Sequence, residues 1–213
     1  MYHYAYLHGF ASGSLSSKGQ LFKALFAEHG VTMHTPDLNV PDFGRLTVTG
    51  ALEAVDALVA SQPDGKWRFV GSSMGGWLAS LWAARNPEQV DSMCLLCPGF
   101  NLLERWPEMI GAQAFDEWER TGAMEYPDGA GVMTPLHWEF IEDARTHDQE
   151  PAPTCPILLV HGSEDETVPV ESSRRWGQEH SEGVRYIEYV DDHRLSGSAE
   201  EIGLRLLEFF EIV

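Results

Sequence analysis

Short runs of β-branched, aromatic and aliphatic residues alternate along this chain with longer stretches of helical spacing. Residues 2–7, 31–35, 67–71, 92–97, 157–161 and 185–190 read as strands. Residues 17–29, 47–61, 74–86, 169–180 and 198–210 read as helices. In the first helix Leu21, Leu25 and Phe26 form an apolar stripe, and Gly30 follows as a stop. In the third, Trp77, Leu78, Leu81 and Trp82 repeat at helical period until Pro87 ends the pattern. This alternation predicts an α/β fold: a mainly parallel sheet of about six strands with helices on both faces.

One stretch breaks the alternation. Nearly sixty residues separate the strand ending near Cys97 from the one starting near Ile157. A crossover needs far less chain. The stretch holds Trp106, Trp118 and Trp138, with helical patterns at 102–120 and 134–146. It leaves the C-terminal end of a strand, where ligands bind in such sheets, so a helical cap insertion at about 99–152 is expected over a pocket. Extra surface helices and a protein-contact surface are the competing readings. The 213 residues fit one domain, 1–213, with that insertion inside it.

Composition narrows the function classes. The net charge of -19 repels phosphate backbones and anionic headgroups, so neither nucleic acid nor membrane is an expected partner. The same charge favours neutral or cationic substrates, unless a local patch opposes the net field. The three cysteines, Cys94, Cys97 and Cys155, are too few and too odd in number for a disulfide scaffold and suit a reducing compartment. Cys94 and Cys97 form a CxxC, but on a strand residues three apart point to opposite faces, so the sulfurs should not meet. The start, MYHYAYLHGF, lacks a basic region before an apolar core, and no run reaches the roughly 18 apolar residues of a membrane span. Cytoplasmic location is the expectation.

The chemistry is concentrated at strand ends. Gly71-Ser72-Ser73-Met74-Gly75 matches G-x-S-x-G, with a strand before it and a long amphipathic helix after it. That is the setting of a nucleophile elbow, in which a strained turn demands small flanking residues. Ser72 competes, but only Ser73 has glycine at both −2 and +2. His8-Gly9-Phe10 ends the first strand, and Gly9 lets backbone amides approach a carbonyl, so the N–H groups of Phe10 and Met74 are the expected oxyanion hole. His8 itself is read as holding the loop. Ser12, Ser14, Ser16 and Ser17 are read as turn and capping residues.

Of nine histidines, His193 alone follows the last strand, which suits the chain order nucleophile, acid, base. The loop His161-Gly162-Ser163-Glu164-Asp165-Glu166-Thr167-Val168-Pro169 offers the acid, with Asp165 central and Glu164 and Glu166 as close competitors. Asp191 and Asp192 adjoin the histidine but need a sharp fold-back to reach its ring. Pro98-Gly99-Phe100-Asn101 offers no carboxylate at the alternative acid position.

LHGF, GSSMGG, LLVHGSEDETVP and DDHRL together resemble the α/β-hydrolase superfamily from the first strand to the last helix. HGFASGSLSSKGQ is similar to small bacterial serine esterases that carry HGF-x-S followed by S-x-K. The HG-x-x-D-x-x-V-P loop of that superfamily carries its acid at the position of Asp165, which the resemblance therefore favours over its neighbours. The resemblance implies a chain starting at the third strand of the full fold, hence a six-stranded core. It implies a carboxylic ester hydrolase acting on small or medium acyl groups of a small-molecule ester through an acyl-enzyme, with no metal or organic cofactor. A thioesterase, an amide or peptide hydrolase, or a non-catalytic ligand-binding member of the fold are the alternatives. With His193 as base, kcat/KM should fall as the imidazole protonates, near or somewhat below neutral pH.

Overall fold

A computed structural model describes residues 1–213. Six strands form one sheet: β1 (Tyr2–Leu7), β2 (Met33–His34), β3 (Lys66–Ser72), β4 (Val90–Leu96), β7 (Ile157–Gly162) and β8 (Val184–Tyr189). Their order is β2-β1-β3-β4-β7-β8, and every pair is parallel. All six C-terminal ends therefore open on one side, and β2 and β8 form the two edges. β3 and β4 lie at the centre and are buried almost throughout, because helices cover both faces.

Alternate side chains feed two apolar layers. One layer packs Tyr4, Tyr6, Val70 and Val160 against Phe22 and Phe26 of α1 (Ser17–Glu28) and Ile202 and Leu206 of α8 (Ala199–Phe209). The other packs Ala5, Leu7, Phe69 and Leu95 against α2 (Val48–Ala60), α3 (Met74–Arg85) and Trp176 of α7 (Val170–Glu179). All five expected helices and six expected strands are present. Only β2 is much shorter than its apolar run.

Two local expectations are corrected. α3 is not amphipathic: it is buried from Met74 to Ala83. Trp82 Nε1 donates to Asp56 of α2, and Trp77 Nε1 donates to the Asp148 carbonyl, so both indoles find partners on the elements that cover them. Cys97 does not lie across the sheet from Cys94. It sits past the end of β4 at φ 43°, and this turn brings it into the same apolar layer. Both thiols are free.

The segment between β4 and β7 is not purely helical. It contains α4 (Leu102–Ile110), α5 (Ala112–Thr121), an antiparallel hairpin of β5 (Ala123–Pro127) and β6 (Met133–His137), and α6 (Glu139–Ala144). Its three tryptophans are buried rather than displayed. Trp118 Nε1 donates to the Leu136 carbonyl, tying α5 to β6. Trp106, Trp118 and Trp138 join the same apolar layer as α2 and α3. The insertion is an extension of the core, and its aromatic rings face inward.

Candidate active site

The central strand β3 runs directly into α3, and Ser73 is the single residue of the turn between them. Its φ of 53° and ψ of -121° lie outside the regions that non-glycine residues ordinarily occupy. The surroundings enforce this geometry. A Cβ at Gly75 would collide with the Leu7 carbonyl, and one at Gly71 with the Gly75 carbonyl. Backbones therefore interlock around the turn, and Ser73 has nowhere to relax.

Three loops converge on that hydroxyl. His193, in the loop after β8, places Nε2 2.9 Å from Ser73 Oγ. Its Nδ1 lies 2.7 Å from Asp165 Oδ2, on the loop after β7. Asp165 is buried and fully engaged. Oδ1 accepts from the N–H groups of Thr167 and Val168, each at 2.8 Å. Oδ2 also meets Nε2 of His161 at 3.0 Å. Burial alone would raise the Asp165 pKa, but the hydrogen bonds from His161 and His193, the His193 charge and the Val168 N–H outweigh it and hold the carboxyl well below the usual range. The competing carboxylates are occupied elsewhere: Glu164 and Glu166 face solvent, and Asp191 accepts from the Ser198 N–H at the start of α8.

His161 went unrecognised as a site residue in the sequence because its strand position suggested only core. It is wholly buried. Its Nε2 reaches both Asp165 and the Val168 carbonyl, the latter at 2.9 Å. Both are acceptors, so Nε2 carries a proton and donates. Its Nδ1 pairs with Ser173 Oγ at 2.7 Å. An unbroken chain of contacts thus runs Ser173, His161, Asp165, His193, Ser73. The signal was present in the loop, since His161 stands four residues before Asp165.

Phe10 and Met74 both lie beside Ser73, Phe10 in the lining of the same cleft and Met74 as the next residue of the chain. The Phe10 N–H has no acceptor within the protein. The Met74 N–H is among those that open α3, which a helix leaves free. Gly9 makes the approach possible: a Cβ there would sit 3.2 Å from Ser73 Cβ. His8 fixes the loop. Its Nε2 accepts from the Leu38 N–H at 2.9 Å, so Nδ1 carries the proton and donates to the Gly9 carbonyl at 2.9 Å. Burial pulls the His8 pKa down and keeps it neutral in this role.

The Phe10 ring anchors the insertion to the site. It lies 5.3 Å from each of the rings of Phe43, Trp106, Tyr126 and Phe140. Above Ser73 and His193 is a cleft of about 680 Å³ bordered by α1, the loop after β1, Tyr126 of the hairpin and Arg194. Ligand atoms of Cys97, Asp165 and His193 lie within 4.8 Å of one another. This set fits a metal poorly, because burial pushes the Cys97 thiol far above its ordinary range and Asp165 and His193 are bonded to each other.

The strained serine between a central parallel strand and a helix, with histidine and aspartate delivered by later loops, defines an α/β-hydrolase fold. The chain belongs to the uncharacterised protein family UPF0227, whose model matches residues 3–211. Among solved structures it is similar to α/β-hydrolase domain-containing protein 10 from mouse, at TM-score 0.80 and 22% identity, covering 98% of this chain and 89% of that one. It is also similar to Est1E from Butyrivibrio proteoclasticus, at TM-score 0.73 and 22% identity, covering 97% and 85%. In sequence it is 30% identical over 123 residues to the human palmitoyl-protein thioesterase ABHD10, mitochondrial, which is 55% of this chain and 40% of that protein. It is 35% identical over 101 residues to the pimeloyl-[acyl-carrier protein] methyl ester esterase of Salmonella heidelberg, covering 42% and 39%. The chain thus spans about two-fifths of the length of the curated relatives it matches.

Proposed function

We propose that this protein is a serine hydrolase that cleaves carboxylic esters of small or medium acyl groups, with Ser73, His193 and Asp165 as its catalytic triad. The observation that carries the reading is the pair of contacts on one imidazole: Ser73 Oγ at 2.9 Å and Asp165 Oδ2 at 2.7 Å. His193 Nε2 takes the proton as Ser73 Oγ attacks the ester carbonyl. The N–H groups of Phe10 and Met74 receive the oxyanion. The carbonyl–alkoxy bond then breaks, and His193 returns its proton to the departing alcohol. Water, deprotonated by the same nitrogen, releases the acid and regenerates Ser73. Asp165 keeps the imidazole in the required tautomer and balances its charge.

A thioester substrate is the second reading, favoured by the relative named palmitoyl-protein thioesterase. The two differ in the leaving group and share every step above. The substrate in this reading is a small molecule, with neither nucleic acid nor membrane involved. Free cysteines support a cytoplasmic setting. No helix is long and apolar enough to cross a membrane.

The test is labelling with a fluorophosphonate followed by peptide mass spectrometry, beside turnover of aryl esters and acyl thioesters. One adduct on Ser73, absent from Ser73→Ala, is expected. Undiminished labelling of Ser73→Ala would sink the reading. Relative rates on matched ester and thioester then choose the substrate class.

A further inference from the structure

The cleft over Ser73 has a charge opposite to that of the chain. The protein carries 33 acidic residues in 213. That frequency would put two or three among the seventeen residues lining the cleft, yet none is Asp or Glu. Two lining residues are cations, Lys18 and Arg194. Seven more are serines or threonines.

Neither cation is used by the protein. Lys18 and Arg194 make no ion pair with any carboxylate within 4.0 Å. Arg68 shows what a structural cation looks like here: it holds Asp91 at 2.7 Å and the Tyr4 hydroxyl at 3.2 Å. Lys18 is half-buried without such partners, a costly arrangement for an ammonium group unless something charged arrives. Its position adds to the field. It stands in the first turn of α1, which has no acidic residue, and the N-cap Ser16 lends its hydroxyl to no N–H of that helix. The positive end of a twelve-residue helix is therefore left unneutralised beside the cleft. The nearby acids, Asp165, Asp191 and Asp192, act on Lys18 only across a distance. Burial pulls its pKa down, and the charges of those carboxylates pull it back up.

We propose that the cleft takes substrates carrying an anionic group, a carboxylate or a phosphate, and that Lys18, with Arg194 at the rim, binds that group while Ser73 faces the scissile carbonyl. The turnover half of this proposal rests on the serine hydrolase reading; the binding half does not. It also reverses the expectation, drawn from net charge, of neutral or cationic substrates. The global field repels an anion on approach, so a local pair of cations and a helix terminus are what make recognition possible.

The experiment compares two chromogenic esters of equal chain length, p-nitrophenyl valerate and mono-p-nitrophenyl glutarate, in wild type, Lys18→Met and Lys18→Arg. A charge-assisted contact predicts that the glutarate-to-valerate ratio of kcat/KM falls about tenfold in Lys18→Met and recovers in Lys18→Arg. An unchanged ratio, with both rates kept or both lowered together, overturns the proposal and leaves the hydrolase reading standing. Calorimetry on Ser73→Ala with glutarate and with inorganic phosphate then separates the two anion sources. Binding of either one that is lost on adding Lys18→Met supports the site even if no ester is turned over, in which case only the hydrolase reading falls. Binding of neither at millimolar concentration overturns the anion site. Thermal unfolding of each variant guards against loss of fold.

Discussion

At the ends of β3, β7 and β8, each functional side chain leaves the backbone within four residues of a strand: Ser73 after Ser72, Asp165 after Gly162, His193 after Tyr189. Between β4 and β7, the residues that shape the cleft reach it through packing instead. Tyr126 arrives on a hairpin, and Phe10 meets Trp106 and Phe140 across the insertion. The first region is governed by backbone geometry, where interlocked backbones at Gly71 and Gly75 and short loops hold the side chains in place. The second is governed by ring-on-ring burial. Reactivity belongs to the first region and stability of the pocket wall to the second. Substitutions in the two should fail differently.

The largest effect is expected at the elbow. Ser73→Ala should lower kcat on any ester substrate by about 10⁴-fold or more with little change in the unfolding temperature. A residual rate within tenfold of wild type would remove Ser73 from the chemistry. Asp165→Asn should follow at about 10⁴-fold, because an amide can no longer fix the His193 tautomer.

That variant also reports on stability through pH. The folded Asp165 pKa lies below its unfolded value. Its contribution is therefore fully present above the ordinary carboxylate range of about 4 and is lost as pH falls through the depressed folded value. The gap in unfolding free energy between wild type and Asp165→Asn should stay constant from neutral pH down to about 5 and close only in stronger acid. A gap that closes near neutral pH would mean the carboxyl is not held ionised. For the same reason, any loss of kcat/KM between neutral pH and about 5 belongs to a group other than Asp165.

In the insertion, the order of effects reverses. Trp106→Ala should cost about 3–5 kcal/mol of stability, read by denaturant unfolding, and should leave fluorophosphonate labelling of Ser73 intact below the melting range. Labelling lost at full fold would show that the wall also governs reactivity. The smallest expected effect returns to the first region, one contact behind Asp165. His161→Gln should lower kcat/KM about tenfold, through Asp165 rather than through substrate. It should also narrow the pH range over which Asp165→Asn and its parent differ in stability, because one of the hydrogen bonds holding the carboxylate ionised is gone. An unaltered pH range would reduce His161 to a packing residue.

This division also explains what could be read from the sequence. Strand ends announce themselves: the glycines around Ser73, the HG-x-x-D spacing and the lone histidine after the last strand are local signals of local geometry. The parallel sheet followed from the alternation of strands and helices; the strand order did not, because alternation does not say which strands pair. The hairpin was not legible, because Ala123–Pro127 and Met133–His137 each carry a proline and little apolar alternation, and they become strands only by pairing with each other. The helical spacing at 134–146 is met by α6 at Glu139–Ala144 and is overruled by that pairing only at its start, in β6. Lys18 was absorbed into a helix start, since nothing in a linear string shows that it lines a cleft without an ion-pair partner. Cys97 misled for a related reason: strict alternation holds inside a strand, and Cys97 lies one residue beyond its end.

Phe10 joins these two regions in one residue: its N–H, in the loop beside Ser73, has no acceptor within the protein, and its ring is locked among Phe43, Trp106, Tyr126 and Phe140. The insertion is therefore not an interchangeable part. A chimera that transplants a foreign cap onto this sheet would keep Ser73, His193 and Asp165 and still lose the packing that seats the backbone at position 10. Only transplants that carry the partners of that ring with them should keep their rate, so diversification of substrate in this lineage is expected to run through coordinated changes around position 10 rather than through exchange of whole caps.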